Sequence, residues 1–548
     1  MFRQNVDTMM PDLFASEDII PKKIFKHLTN SWAISFRENI FNKIDEKRFS
    51  VLYSDSTNSR PNTPVNLLLG LEIIKELFDY RDEELLRGFH LNLEVAYALG
   101  LNELGSYTIS ERTLYYFRSR VLEYEKTSGI NLYEKEFKKF RDNLIKDYDI
   151  KTDTQRSDSF LVGSNIRKMS RVELVVKTVQ MILESLNDAE KEKRKDYCEK
   201  YLKEKPYRMI FKKNKGEIES LLKESAQVLS QIIDIESLNK DLKNLGNRIL
   251  SEQTVINEEG ELEIKNSKDI KANSVQSVHD LEATYRKKGK KESRGYVENV
   301  TETSNKGNNF QIITDVSLAK NTVDDGAHLE SRMEDLEEDT KVTEMAVDGG
   351  YYRNGLIEKN EDVDFIFTGI PGKNMNTDTF KTTDFKIENN EIKECPTGKN
   401  PIDQKYEEST KTITAHFDYN DCKHCEKAPR CLTRIGKKSC KLVITKKKIK
   451  HDISRSKFKD FEYLEKCKLR PAVEGTVWQF SCYMRNGKVR FRSYLKIRQR
   501  MTLRAIGINL MRLHKAILLS FYIFIIFVEN IDKILRIIKL PDQKLQKC

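Results

Sequence analysis

Between Val65 and Glu125 apolar residues recur at spacings of three and four, through NLLLGLEIIKELFDY, EELLRGFHLNLEVAYALGL and SERTLYYFRSRVLEYE. That is the period of amphipathic helices. In the last of these, Ser110 is a candidate N-cap and Leu114, Phe117 and Val121 fall on one face. Residues 1–60 are mixed and end in the turn-prone SDSTNSRPNTP. KTDTQRSDSFLVGSNIRKMSR reads as a strand that leaves a carboxylate near its exit. A Lys-, Glu- and Leu-rich helical stretch follows over residues 171–250, and 250–280 reads as a polar loop or linker. The period then changes to two: RGYVENVTETS and NFQIITDVSLA read as paired strands joined by the turn NKGN. DDGAHLESRMEDLEEDT reads as a helix capped by Asp324 or Asp325, KVTEMAVDGGYY as a buried strand stopped by Gly349 and Gly350. RNGLIEKN is a short helix and DFIFTGI a further strand.

The order strand, strand, strand, helix, strand, helix, strand predicts an α/β fold. Its core is a mixed sheet of the ribonuclease H-like kind, with a helical domain before it and a helical insertion after its first strand. The expected division is 1–135 for the N-terminal helical domain and 145–170 for the first part of the core. The helical insertion takes 171–275, the rest of the core 276–375, and a cysteine-rich insertion 376–460. The last segment, 461–548, holds a glutamate-bearing helix and basic C-terminal helices.

A chain of 548 residues is too long for one core. Its 96 Lys and Arg against 85 Asp and Glu leave a net charge of +11, unevenly placed. No Asp or Glu occurs from Gly475 to Val528, where Arg485, Lys488, Arg490, Arg492, Lys496, Arg498, Arg500 and Arg504 crowd together. Such a stretch suits a polyanion, with salt-dependent binding. Arg112, Arg118 and Arg120 on the last N-terminal helix fit a helix-turn-helix DNA reader or an ordinary small helical domain. No secretory signal is visible at the N-terminus. AILLSFYIFIIFV, over Ala516–Val528, is shorter than the roughly 20 residues of a membrane span and reads as a buried terminal helix. A cytoplasmic protein with no membrane partner is expected, and nine cysteines then point to metal or free thiols.

Phosphoryl transfer with hard divalent metals uses oxygen ligands, commonly about three carboxylates converging from separate elements. Asp158 and Asp348 each end a strand. Glu474 sits in LRPAVEGTVWQF, where Pro471 suits a first helical turn. Val473, Val477 and Phe480 would bury one side of that helix, with Arg470, Glu474 and Trp478 along a neighbouring face.

The blocks QRSDSFLVGSNIRKMSR, HDLEATYRKKGKKESRGYVENVTET, AVDGGYYRNG and LRPAVEGTVWQF with GKVRFRSYLKIRQRMTLRAIGINLMRL resemble bacterial insertion-sequence transposases of the DDE class. The closer likeness is to the group with an N-terminal helical domain, an RPxxPV start (here RPNTPV) and a cysteine cluster before the last catalytic residue. The resemblance spans residues 60–515, with the blocks in the same order. It implies a ribonuclease H-like core with Asp158, Asp348 and Glu474 as catalytic acids and ligands of Mg2+ or Mn2+. It also implies DNA as substrate: terminal inverted repeats and target DNA, handled by at least a dimer on DNA and in the nucleoid. The Y-x2-R-x3-E-x6-K pattern of related transposases reads here Cys467, Arg470, Glu474, Ser481. Arginine and glutamate match, tyrosine and lysine do not. Arg470, Arg485, Lys488, Arg490, Arg492 and Arg112 are the candidate DNA-binding residues, Arg485 or Lys488 supplying the missing charge.

Cys395, Cys422, Cys425 and Cys431 have spacing that could hold structural zinc, with Cys440, His416 or His424 as substitutes; free thiols in a polar loop are the other reading. Asp153, Asp315, Asp324 and Asp325 read as caps or turn residues and His279 as structural. Glu282 and Tyr285 stand beside a basic run suited to a DNA end. An active transposase is the leading expectation. A nuclease or resolvase on the same fold, and a non-enzymatic DNA-binding descendant, are the competing ones.

Overall fold

The computed structural model describes residues 1–5, 21–54, 60–101, 107–371, 379–437 and 439–538, with side chains to Val528. The N-terminal third is helical: α1 (Trp32–Asn39), α2 (Val65–Phe78), α3 (Asp82–Leu91), α4 (Glu111–Ser128) and α5 (Leu132–Asp147). Every residue of α2 from Val65 to Glu76 is buried, as its apolar sequence demands of a central helix. Helix α4 starts where Ser110 accepts the Thr113 N–H at 3.3 Å and ends at Gly129 in the left-handed region, φ 74°. Its face of Leu114, Phe117 and Val121 is buried.

Strand β1 (Thr154–Gly163) leads into α6 (Arg171–Ser185), opened by a Ser170–Glu173 capping box, then α7 (Lys215–Ile232) and α8 (Lys240–Gln253). These three helices bury a core of their own around Val175, Val179, Ile182, Leu229, Ile232 and Ile249. The chain re-enters the sheet through β2 (Thr284–Lys288), β3 (Lys291–Thr303) and β4 (Ile313–Lys320). Next come α9 (Asp325–Glu330), α10 (Met333–Thr340), β5 (Glu344–Val347) and β6 (Asp364–Phe367). The sheet runs β2–β3–β1–β5–β6, with β4 also on β3. It is mixed: β1 and β4 lie antiparallel to β3, while β5 is parallel to β1 and β6 to β5.

Within the sheet and its covering helices, two elements depart from the sequence expectation. HDLEATYRKKGKK was expected only as a basic run, yet its Thr284–Lys288 forms β2, hairpinned to β3. The single helix expected from Asp324 is two, broken at Ser331 and Arg332, where Arg332 turns to pair with Asp315 at 2.8 Å and Asp335 at 2.8 Å.

After β6 a four-stranded sheet is built from β7 (Asp403–Glu407), β8 (Thr412–Phe417), β9 (Arg434–Ile435) and β10 (Cys440–Thr445), in the order β7–β8–β10–β9. Then follow α11 (Phe461–Cys467), α12 (Val473–Ser481) and the long α13 (Tyr494–Ile538). The first part of α13 packs on α1, α2, α5 and β4 and joins the N-terminal helices to the sheet in one core. Gly163 tightens this junction. A Cβ there would stand 2.6 Å from the Gly487 carbonyl, so only glycine lets the 485–488 loop dock on the end of β1.

The apolar end of α13 is not buried, against expectation. Leu519, Tyr522, Ile523, Phe524 and Phe527 are each about 60% exposed. The helix leaves the core after His514, and among the described residues no element covers it beyond that point. Tyr494–Val528 is long and apolar enough to cross a membrane by length and composition alone, but its first half lies in the protein core.

Candidate active site

Three elements carry the candidate acids. Asp158 lies within β1, its Oδ1 accepting the Ser159 N–H at 2.9 Å, its side chain largely buried. Asp348 ends β5 and caps the tight turn Gly349–Tyr351 by accepting the Gly350 N–H at 2.7 Å. Strands β1 and β5 are parallel neighbours with Arg156 opposite Ala346, so two positions further on Asp158 and Asp348 stand side by side. Glu474 is in the first turn of α12, which follows the short turn Arg470–Ala472 with Pro471 at its start.

A single guanidinium gathers all three. Arg470 Nη2 lies 2.6 Å from Asp158 Oδ2 and 3.9 Å from Asp348 Oδ2, and Nη1 donates to Glu474 Oε1 at 2.8 Å. Burial pushes the Asp158 carboxyl above its ordinary value; Arg470 and the Ser159 N–H pull it back only in part, and Asp348 adds to the rise. Among the described residues no three His, Cys, Asp or Glu side chains stand close enough to share a metal ion. The acids share a guanidinium instead. As hard oxygen donors from three separate elements, already converging on one cation, they suit a hard divalent metal.

The helix bearing Glu474 is fixed from beneath by Glu302, fully buried on β3. Its carboxylate takes Arg156 Nε at 2.7 Å, Arg512 Nη1 at 2.8 Å and the Thr476 hydroxyl of α12. Arg156 also donates to the Leu469 carbonyl at 3.0 Å, just before Arg470. Glu302, Arg156 and Arg512 were absent from the sequence reading. For Glu302 and Arg156 the signal available was charge at strand positions; Arg512, on α13, offered none.

The basic stretch divides in two. Arg498, Arg500 and Arg504 face inward on α13: Arg498 pairs with Glu125, Arg500 with Glu72 and Glu76, and Arg504 stacks 4.4 Å over Tyr483. Their acidic partners come from α2 and α4, which a local charge count does not see. Arg490 is committed to Asp79 at 2.7 Å. Arg485, Lys488 and Arg492 remain exposed, with Lys488 Nζ donating to the Ile166 carbonyl at 2.7 Å. On α4, Arg112 is exposed and bonded to the Tyr116 hydroxyl, whereas Arg118 is drawn into Glu72 and Asp82, and Arg120 stacks on Tyr53. Beside Asp158, Ser159 and Phe160 open onto a cleft of about 720 Å3 lined by Lys288, Lys291, Glu292 and the pair Arg286–Asp325, 3.3 Å apart.

Cys395, Cys422, Cys425 and Cys431 line one small cavity next to the four-stranded sheet, with Cys440 close to Cys422. Burial, with Cys440, Cys431 and Cys395 nearby, pushes the Cys422 thiol up to about 12. The thiols gather without reaching metal-ligand spacing, so the zinc expectation finds no support in this arrangement.

Comparison with known families gives two matches, both to transposases. A transposase DDE domain model matches residues 394–514, the stretch that holds the thiols, Arg470, Glu474 and the exposed basic loop. A transposase domain model (DUF772) matches residues 26–120, the helices through most of α4. Each covers less than a quarter of the chain, and together they show a likeness to transposases with a DDE domain. Asp158 and Asp348 lie outside both matched segments. No curated protein and no solved structure matches the chain.

Proposed function

We propose that this chain cuts DNA at the ends of an insertion sequence and joins the freed end to target DNA, using Asp158, Asp348 and Glu474. The observation that carries the proposal is the convergence of those acids, from β1, β5 and α12, on one cation. The strand order, three antiparallel strands followed by two parallel ones on the far side of β1, supports a ribonuclease H-like core.

The three carboxylates would hold Mg2+ or Mn2+, which when bound acidifies an attacking water or 3′-hydroxyl and stabilises the leaving oxygen. The chain's own residues set the geometry. The Gly350 N–H holds Asp348 in its turn, and Glu302, through Thr476, fixes the helix that presents Glu474. Lys288 and Lys291 in the cleft, with Arg485 and Arg492, would bind backbone phosphates and align the duplex beside Asp158. No covalent protein–DNA link is invoked. Bringing two element ends together calls for at least two copies on DNA, in the cytoplasm at the nucleoid. The cysteine cluster carries no step.

The test is cleavage and strand transfer of a labelled element-end duplex in Mg2+, with wild type beside Asp348→Ala. Metal-dependent joining that disappears in the variant supports the proposal. Cleavage without joining favours a nuclease, and binding without cleavage a DNA-binding descendant. A variant that cuts like wild type rules out this site.

A further inference from the structure

We propose that Arg470 is a built-in counter-cation: in the metal-free protein its guanidinium holds the three acids together, and a divalent metal enters only as that guanidinium leaves. The proposal rests on reading Asp158, Asp348 and Glu474 as metal ligands, and it assigns to Arg470 control over when they are filled.

Three carboxylates brought side by side without a cation repel one another. Here Arg470 supplies the cation from the same segment as Glu474, four residues earlier. Its side chain is 14% exposed, while those of Asp348 and Glu474 are 40% and 66% exposed. The arginine is thus inside and two of its acids reach solvent, so an incoming cation meets those acids first. Arg470 Nε is buried with no hydrogen-bond partner, so the Nη atoms and the acids account for its hold on this position. The oxygens Arg470 engages, Asp158 Oδ2, Asp348 Oδ2 and Glu474 Oε1, are those a metal would need, so metal and arginine compete for them. A displaced guanidinium suits a backbone phosphate, whose oxygens it can take in the same two-pronged way. DNA that captures Arg470 would raise the affinity of the acids for metal, and by linkage metal would raise the affinity for DNA.

The test is Mn2+ binding to the DNA-free full chain by calorimetry, for wild type, Arg470→Gln, Arg470→Lys and the double variant Asp158→Asn/Asp348→Asn. R470Q should bind Mn2+ about tenfold more tightly than wild type, the equivalent of one close charge pair's coupling. R470K, which keeps the charge, should bind nearly as weakly as wild type. Equal or weaker binding by R470Q, or R470K binding as tightly as R470Q, overturns the proposal. Should the double variant bind Mn2+ like wild type, the ligand reading itself fails, whatever the Arg470 variants do. A second readout needs no variant: phenylglyoxal modification of Arg470, followed by peptide mass mapping, should quicken when Mn2+ is added. An unchanged or slower rate overturns the proposal.

Discussion

Arg500 offers a severe test of how this chain holds its N-terminal helices to its C-terminal one. Its Nη1 pairs with Glu72 and lies 3.4 Å from Glu76 Oε1; the side chains of Glu72, Glu76 and Arg500 are 0%, 7% and 8% exposed. Burial drives the Glu72 carboxyl up, but Arg500 and Arg118 together bring it below its ordinary value. Glu76 stays above its ordinary value, because burial outweighs Arg500, Arg504 and Lys75. Arg500→Met keeps most of the side-chain bulk and removes the charge. Breaking a buried pair by deleting one partner costs about 3–5 kcal/mol, and Arg118, 2.7 Å from Glu72, should keep the loss toward the lower figure. The pH dependence follows by sign. A carboxyl whose folded pKa is raised contributes most below its unfolded value and loses that contribution as pH rises through the folded one. Without Arg500 both glutamates move in that direction, so the deficit should be small near pH 5 and full near pH 8. Urea unfolding at both pH values measures it. Arg500→Met/Glu72→Gln/Glu76→Gln should recover most of the loss, since a neutral core replaces the broken pair. A cost below about 1 kcal/mol at pH 8, or a deficit as large at pH 5, would refute the reasoning.

Three further outcomes are expected. Glu298, fully buried on β3 with both carboxylate oxygens unpartnered, is pushed well above its ordinary value by burial and then by Asp315, against Arg498. Its contribution is therefore lost as pH rises, and Glu298→Gln should flatten the fall in Tm between pH 5 and 9; an unchanged slope would count against this. Gly163→Val should cost about 1–3 kcal/mol by driving the 485–488 loop off β1, read as a lower urea midpoint together with weaker DNA binding by Arg485 and Lys488; a midpoint equal to wild type would discredit the close approach. Phe524→Lys, at a side chain 62% exposed, should change stability by no more than about 0.5 kcal/mol while raising solubility, and a marked drop in Tm would show that this helix end is covered.

Much of the α/β order was legible along the chain. Helical period over 65–125, period two in β3 and β4, and the glycines that stop β5 are local signals, each set by the few residues around it. Of the three candidate acids, Asp348 ends a strand and Glu474 opens a helix as expected, whereas Asp158 lies in the middle of β1 rather than at its end. The break at Arg332, the hairpin of β2 and the four-stranded sheet of the cysteine region were not legible, because their short, charge-rich segments carry no clear apolar period and take their form from the neighbours they pair with.

Charge was the feature most misread from sequence. Eight basic residues between Arg485 and Arg504 resemble a single polyanion-binding face, yet Arg498 and Arg500 neutralise glutamates 373 and 428 residues earlier. Composition counts charges along the chain, whereas burial and pairing are set only when α13 is laid against α2 and α4. The same holds for Arg470. Its spacing to Glu474 put both on one helical face, but only the packing of β1 beside β5 under that helix brought Asp158 and Asp348 to the same guanidinium. The apolar run 516–528 is the converse case: hydrophobicity is written in the residues, but what covers it is decided by where the helix leaves the core. Sequence by itself determined where most of the helices and strands of the core form. Tertiary structure decided which charges meet, because in a folded chain Coulomb energy depends on distance and burial rather than on position along the chain.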